Sequence, residues 1–426
     1  MRSKMCAMVL AVTMVLAFGN LGQAAETIVL KFADNLPDRT QTWGAVVEQI
    51  NAEFLKEHPG VKIETESYPD QPYQQKMKIY ATSGELPDVF KYWSFSTLLK
   101  PLVDEGMVME LNKKDFEGNN YLSGALESNV WNGKLYGIPV SGDLWVFFYN
   151  KSLFDKFNVK VPTTFDELFA AAEVFKKNGI IPISSDGKDS WPFSIFFDNL
   201  VARYTGDFTY PQQALNRTMK FTDAPFVKAA AFMQKMVKDA LFQADLVTSD
   251  YGAARNLFGQ EKTAMFMMGS WELGLATDQN FSENFRKNVR AFKIPVIKDG
   301  KGDANDLFAW FGGNYVINAK AKQPQLAMDY LKLMSKRLPV LVWEKQAAFP
   351  AQKVAASEKD TDLAKDLLQI GADAKATSGP ACLDLSTPAF KEDNQKFIQE
   401  LLAGLTTPEE FAKKLDASAE KAAKQK

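Results

Sequence analysis

The sequence predicts an α/β fold, sheets flanked by helices and divided into two or more domains, on three observations. The chain has 426 residues, 46% hydrophobic and 24% charged, enough apolar material for more than one core. Strand-like and helix-like segments alternate from the first strand onward, the order a sheet covered by helices requires. The run Trp145 to Tyr149 (WVFFY) is wholly aromatic or β-branched, which suits a strand buried on both faces.

Taken in order, Ile28 to Ala33 reads as a strand broken by Asp34, Asn35, Leu36 and Pro37. Trp43, Val46, Val47, Ile50 and Phe54 recur at helical spacing, and that helix stops at His58-Pro59-Gly60. Val61 to Glu66 returns as a strand, Tyr73 to Thr82 as a helix, and Asp88 to Trp93 as a strand with two aromatics at its end. A helix through Leu98, Leu99 and Val103 leads to Gly133–Lys151 (GKLYGIPVSGDLWVFFYNK), where Asp143 stands just before the WVFFY run. That acid has two readings, a carboxylate facing a crevice or a turn Asp satisfying local amides.

Beyond it, Thr163, Thr164 and Glu167 form a capping box for a helix through Phe165, Leu168 and Phe175. Ile180 to Ser184 is the next strand, and Asp189 to Phe197 an aromatic-rich loop running into helix. Thr263 to Glu272 is an apolar strand ending in Gly-Ser-Trp, Phe292 to Val296 another short segment, and Leu307 to Asn318 a further strand region with Trp310 and Phe311 before a glycine pair. Pro324 and the Thr407-Pro408 pair open the last helices.

Bulk numbers narrow the function. Arg2 and Lys4, the apolar run Met5 to Phe18 and small residues at Gly22, Ala24 and Ala25 follow the export-signal pattern, with cleavage expected after Ala24 or Ala25. Removing those two bases from the formal net charge of −2 leaves −4. With no basic stripe, nucleic acid is a poor partner. Cys6 lies in the signal, so Cys382 would be the mature chain's one cysteine, with no disulfide to form. The expectation is a monomer, soluble and exported to the periplasm, with no cofactor and no metal.

Aromatics recur where strands end and loops gather: Tyr92, Trp93, Trp145, Trp191, Trp271, Trp310 and Phe311. Ligands of α/β sheets bind beyond the carboxyl ends of the strands, and flat aromatic faces beside a few polar groups suit a sugar. Catalysis lacks its residues. His58 is the one histidine and sits in a helix-ending turn. Asp299, Asp303, Asn305 and Asp306 miss the spacing of a calcium loop and read as a polar turn. A glycoside hydrolase would need two carboxylates flanking one bond, and Asp143 with Glu272 is the pair available. A cationic ligand such as a polyamine is the other alternative, since it too would use aromatics and acids.

The segments Glu53–Glu64 (EFLKEHPGVKIE), Ser83–Phe90 (SGELPDVF), Gly133–Phe154, Val161–Leu168 (VPTTFDEL), Lys262–Gly274 (KTAMFMMGSWELG), Trp310–Met334 and Leu401–Leu415 carry a resemblance over nearly the whole chain. It resembles the sugar-binding extracellular solute-binding proteins of bacterial ABC importers, the family of the maltodextrin-binding protein. The resemblance implies a two-lobed fold, each lobe a sheet flanked by helices, joined by hinge strands around a neutral sugar bound for a membrane permease. It implies a signal at 1–25, lobe one at 26–141 plus 296–336, and lobe two at 142–295 plus 337–426. Asp143 matches a sugar-binding glutamate, Trp271 a stacking tryptophan, Tyr92 or Trp93 another, and Asn35 a polar contact. Trp191, Trp310 and Phe311 match by region. The Asp-Arg pair of the maltodextrin binder is missing, with Phe95 and Ser96 near its place, which implies another sugar or chain length.

Overall fold

A computed structural model describes residues 27–424; the expected signal peptide and Cys6 lie outside them. Two mixed sheets organise the chain. In the first, the strands run in the order 61–67, 28–34, 89–93, 313–317 and 138–139. The first three are mutually parallel and the last two join antiparallel. In the second, Val289–Lys293, Asp143–Asn150, Thr263–Gly269 and Ile181–Ser184 lie side by side, and Ala309–Trp310 pairs with the start of the Asp143 strand.

Every residue of the Asp143–Asn150 strand is buried, because strands pair on both edges and helices cover both faces. Asn150 ends it and caps the next helix, Lys151–Lys156, by accepting from the Ser152 and Leu153 amides. The expected capping box at Thr164/Glu167 forms, and Thr407, expected as a helix start, forms a second with Glu410. His58 stacks on Phe54 at 4.0 Å and its Nδ1 lies 3.0 Å from the Phe54 carbonyl oxygen, a helix-end role.

The helices 42–57 and 324–344 cover one face of the first sheet around Phe32, Val46, Ile50, Tyr330 and Leu338. The second core holds the other face of that sheet and the whole of the second. The chain crosses from first sheet to second between Pro139 and Asp143, and back between Trp310 and Gly313. The return corrects the expected boundary at 296. Ala309 and Trp310 hydrogen-bond to the Asp143 strand, and Asp306–Leu307 pairs with Ala376–Thr377. The boundary at 336 moves as well, because Leu338, Leu341, Val342, Ala347 and Ala348 pack in the first sheet's core.

Two further corrections concern local structure. Trp191 begins the helix Trp191–Thr205 instead of sitting in a loop, after Ser190 turns the chain at a left-handed φ of 62°. The strand from Thr263 ends at Gly269, and Trp271 and Glu272 lie on the tight helical turn Ser270–Ala276.

Candidate functional site

Between the two sheets lies a cavity of about 810 Å³, in the size range of ligand sites. It gathers seven of the ten expected residues: Asn35, Trp93, Asp143, Trp191, Trp271, Glu272 and Trp310.

The first-sheet wall follows from strand alternation. Successive side chains of Val89–Trp93 point to opposite faces, so Lys91 and Trp93 line the cavity while Tyr92 packs against Phe90 and stays 3% exposed. Tyr92 is therefore not on the cavity. Lys91 was missed, although the same alternation links it to Trp93. Its ammonium can donate three hydrogen bonds; one goes to the neutral amide oxygen of Asn35 at 2.8 Å. It also lies 4.4 Å from the centre of a Trp43 ring and 6.0 Å from one of Trp93. Trp43, read as a helix-core residue, lines the cavity as well.

Asp143 sits on the floor. Trp310 is its partner in the antiparallel register, which sets the acid and the indole side by side. Its Oδ2 accepts from the Gly312 amide at 3.3 Å, whereas Oδ1 is buried without a partner among the described residues. Burial pushes this carboxyl up to about 6, against the Ser141 hydroxyl, the Gly312 amide and the Lys91 charge, which lower it. The same burial lowers Lys91, with Asp34, Asp143 and Asp70 opposing. A buried oxygen without a donor is costly, and a donor on a ligand, hydroxyl or ammonium, would satisfy this one.

The second wall is a cluster of indoles. Trp191 and Trp271 lie 5.9 Å apart, and Trp271 and Trp310 6.0 Å apart. Trp145, 1% exposed, sits behind them at 6.2 Å from Trp191 and 6.0 Å from Trp271. Trp145 thus supports the wall and does not line the cavity. Phe311 does not line it either; at the crossover its carbonyl accepts from the Ser94 hydroxyl at 2.9 Å.

Glu272 lines the cavity with both oxygens already engaged. The Tyr251 hydroxyl donates to one and Arg255 Nε to the other at 2.8 Å. Arg255 reaches Asp278 at 2.9 Å, and Trp271 Nε1 donates to the Tyr251 oxygen at 3.0 Å. Glu272 therefore anchors the Trp271 indole, and as a hydrolytic couple with Asp143 it lacks the second free carboxylate. No sequence signal linked Tyr251 and Arg255 to Glu272, because their helix, Tyr251–Gly259, meets the 270–276 turn only in the fold.

At the start of the Trp191 helix, Asp186 is wholly buried and accepts from the Asp189 amide at 2.9 Å. Burial, with the Asp189 charge adding to it, pushes its carboxyl well above the usual carboxylate range. The Asp299–Asp306 segment is a polar turn: Asp303 accepts from the Asn305 amide and pairs with Lys375 at 2.6 Å.

Comparisons with known proteins agree on kind. Residues 33–337 match the family described as bacterial extracellular solute-binding protein. An uncharacterized ABC transporter extracellular-binding protein of Pyrococcus horikoshii is 29% identical over 242 residues, 55% of this chain and 56% of the relative. The multiple sugar-binding protein of Streptococcus mutans is 23% identical over 337 residues, 76% of each chain. A structure from work on xylan utilization by the thermophile Caldanaerobius polysaccharolyticus superimposes with a TM-score of 0.84 at 29% identity, covering 92% of this chain and 99% of the other. A chitin oligosaccharide binding protein superimposes at 0.82 with 22% identity, covering 94% and 100%. These neighbours share the two-lobed fold.

Proposed function

Because the chain belongs to the bacterial extracellular solute-binding protein family, whose members bind ligands and do not transform them, we propose that it captures a neutral sugar or oligosaccharide between its lobes for an ABC importer. The observation that carries this is the unpartnered, buried Oδ1 of Asp143 between indole-lined walls. Indole faces take the apolar C–H surface of a sugar ring, and Asp143 and Lys91 take its hydroxyls. The sugar-binding relative from Streptococcus mutans and the structure from the xylan work support the same ligand class.

The lobes we infer are 27–141 with 312–352 and 142–311 with 353–424. A ligand touching both favours the closed arrangement in proportion to its differential affinity. They already meet beside the cavity, where Lys78 pairs with Glu392 at 3.0 Å and Trp271 packs against both cores. Among the described residues no helix is long and apolar enough to cross a membrane. We assign residues 1–25 to an export signal, the mature chain to the periplasm as a monomer, and its partner to a membrane-embedded permease. Mass spectrometry of the periplasmic fraction checks the new N-terminus.

A thermal-shift screen of the mature protein against mono- and oligosaccharides, with polyamines as controls, tests the ligand class. The true ligand at a hundredfold excess over Kd stabilises by about 2.7 kcal/mol and is recovered unchanged. Stabilisation by a polyamine alone, weakening with salt, would replace the sugar reading with a cationic one.

A further inference from the structure

We propose that a charged seam between two helices, Asp70–Ser83 of the first lobe and Pro388–Leu402 of the second, latches the lobes together and fixes the register in which they close. The inference rests on the two-lobed reading of the cleft and goes beyond it, because it concerns the attraction of the lobes for each other whatever the ligand. The second half of the seam lies outside residues 33–337, the part of the chain that matches the family.

Helical spacing builds the seam. Asp70, Gln74 and Lys78 stand four residues apart and share one face of their helix, and Lys391, Glu392 and Gln395 share a face of the other by the same rule. Asp70, Gln74, Lys391 and Gln395 line the cavity, so the two faces border it from opposite lobes. The outer tier is the ion pair of Lys78 with Glu392 at 3.0 Å, both side chains exposed. The inner tier centres on Lys391, whose side chain is 12% exposed. Its ammonium pairs with Asp384 of its own lobe at 2.7 Å and lies 5.7 Å from the centre of the Phe95 ring in the first lobe. Asp70 faces the same tier from the first lobe, held by the side-chain amides of Gln71 and Gln74 at 3.2 and 3.3 Å. Burial raises the Asp70 carboxyl, with the Asp189 charge adding to it, and Lys391 is the strongest of the charges that oppose the rise, ahead of Lys91.

The signs are crossed. The first lobe presents an acid inside and a base outside, and the second a base inside and an acid outside. A slip that set Lys78 against Lys391, or Asp70 against Glu392, would bring like charges together, so one register of closure is favoured. The exposed pair alone contributes little, whereas the inner tier, mostly withdrawn from solvent, is screened less. Opening the lobes takes Phe95 and Asp70 away from Lys391 but leaves Asp384 with it. The ammonium is therefore never stranded, and the latch can release.

The test is small-angle X-ray scattering of the purified mature protein, at low and high salt, on wild type, Lys78→Glu, Glu392→Lys, the exchanged pair carrying both substitutions, and Lys391→Met. Methionine keeps the apolar contact with Phe95 and removes the charge. The expected result is a larger radius of gyration at low salt in each charge reversal, from an open fraction raised at least threefold, an increase at least as large in Lys391→Met, and a return to the wild-type radius in the exchanged pair. High salt should narrow these differences. A radius unchanged in both reversals and in Lys391→Met overturns the latch, and an expansion that the exchanged pair does not reverse overturns the pairing that defines it. Either failure leaves the ligand reading standing, since no ligand enters the measurement, and a failed thermal-shift screen leaves the latch standing. Lys78 and Glu392 are exposed, so the reversals decide the question even where Lys391→Met fails to fold.

Discussion

The six-membered ring of Trp271 lies against Gly269, so closely that a methyl group added to Gly269 would stand 2.1 to 2.5 Å from three of its carbons. Gly269 ends the Thr263–Gly269 strand opposite Trp145 in the register, so indoles lie beside it from two directions. The glycine of the Gly-Ser-Trp motif is thus required for clearance.

Gly269→Ala should therefore act as a displaced-indole mutation. The methyl forces Trp271 out of the wall, and overpacking of this kind costs about 1–3 kcal/mol. Affinity for the preferred sugar should drop at least tenfold, near that of Trp271→Ala. Calorimetry on both variants checks it, and native affinity in either sinks the platform role of Trp271.

Asp143→Asn should separate stability from binding. Burial raises the Asp143 carboxyl from 3.8 to about 6, so between those values the folded chain keeps a proton that the unfolded chain releases. Its favourable contribution is complete below about pH 4 and is lost as pH rises to about 6. An amide does not titrate. The variant should match wild type in relative stability below about pH 4 and gain above pH 6, by at most about 3 kcal/mol. Denaturant titrations from pH 4 to 8 read this directly. Sugar affinity of the variant at pH 7 should fall at least tenfold, and wild-type affinity should weaken below about pH 6 as the acceptor becomes protonated.

Glu272→Gln tests whether that acid holds Trp271 or touches the ligand. Both carboxylate oxygens accept from protein groups, Tyr251 and Arg255, and an amide turns one acceptor into a donor facing a donor. We expect a loss of about 2 kcal/mol in stability, since hydrogen bonds to charged groups contribute about 1.5–3 kcal/mol. Sugar affinity should also fall. If Glu272 acts through the indole, the affinity losses of Glu272→Gln and Trp271→Ala will not add in the double variant. Additive losses would mean a separate ligand contact for Glu272.

What the sequence disclosed divides along physical lines. The Asp143 strand, the caps at Thr164 and Thr407 and the alternation of strands and helices were legible, because local periodicity and capping chemistry determine them. The second crossover was not. Trp310 pairs with the Asp143 strand, whereas Gly313, three residues on, pairs with Trp93. Which sheet a short strand joins is a nonlocal choice. The aromatics were found but not sorted: Trp145 and Trp191 read alike in sequence, and only packing sets one behind the other. Asp143 stood out by its position before a buried strand, but the residues left two readings open and the family resemblance chose between them. Lys91 was passed over inside DVFKYW, where a buried ammonium has no local signature.

Arg203 supplies the last prediction, one about the support of the cleft. It is 1% exposed, and its guanidinium donates to the carbonyl oxygens of Ile294, Pro295, Asp303 and Asp306 at 2.7 to 3.2 Å. That segment leads to Ala309–Trp310, the strand beside Asp143. Burial lowers the guanidinium to about 10, with Asp306 and Asp303 opposing, so it stays charged at neutral pH. Lysine carries the same charge on a single nitrogen and cannot span four acceptors. Arg203→Lys should leave at least one carbonyl unpaired, since an ammonium has three donors for four acceptors, and destabilise the protein by about 1–3 kcal/mol or more. Denaturant unfolding measures that loss. Arg203 is remote from the ligand, so the fraction that remains folded at low temperature should keep sugar affinity within about threefold of wild type. A large affinity loss with unchanged stability would mean that this segment moves during binding, and that Arg203 controls the motion.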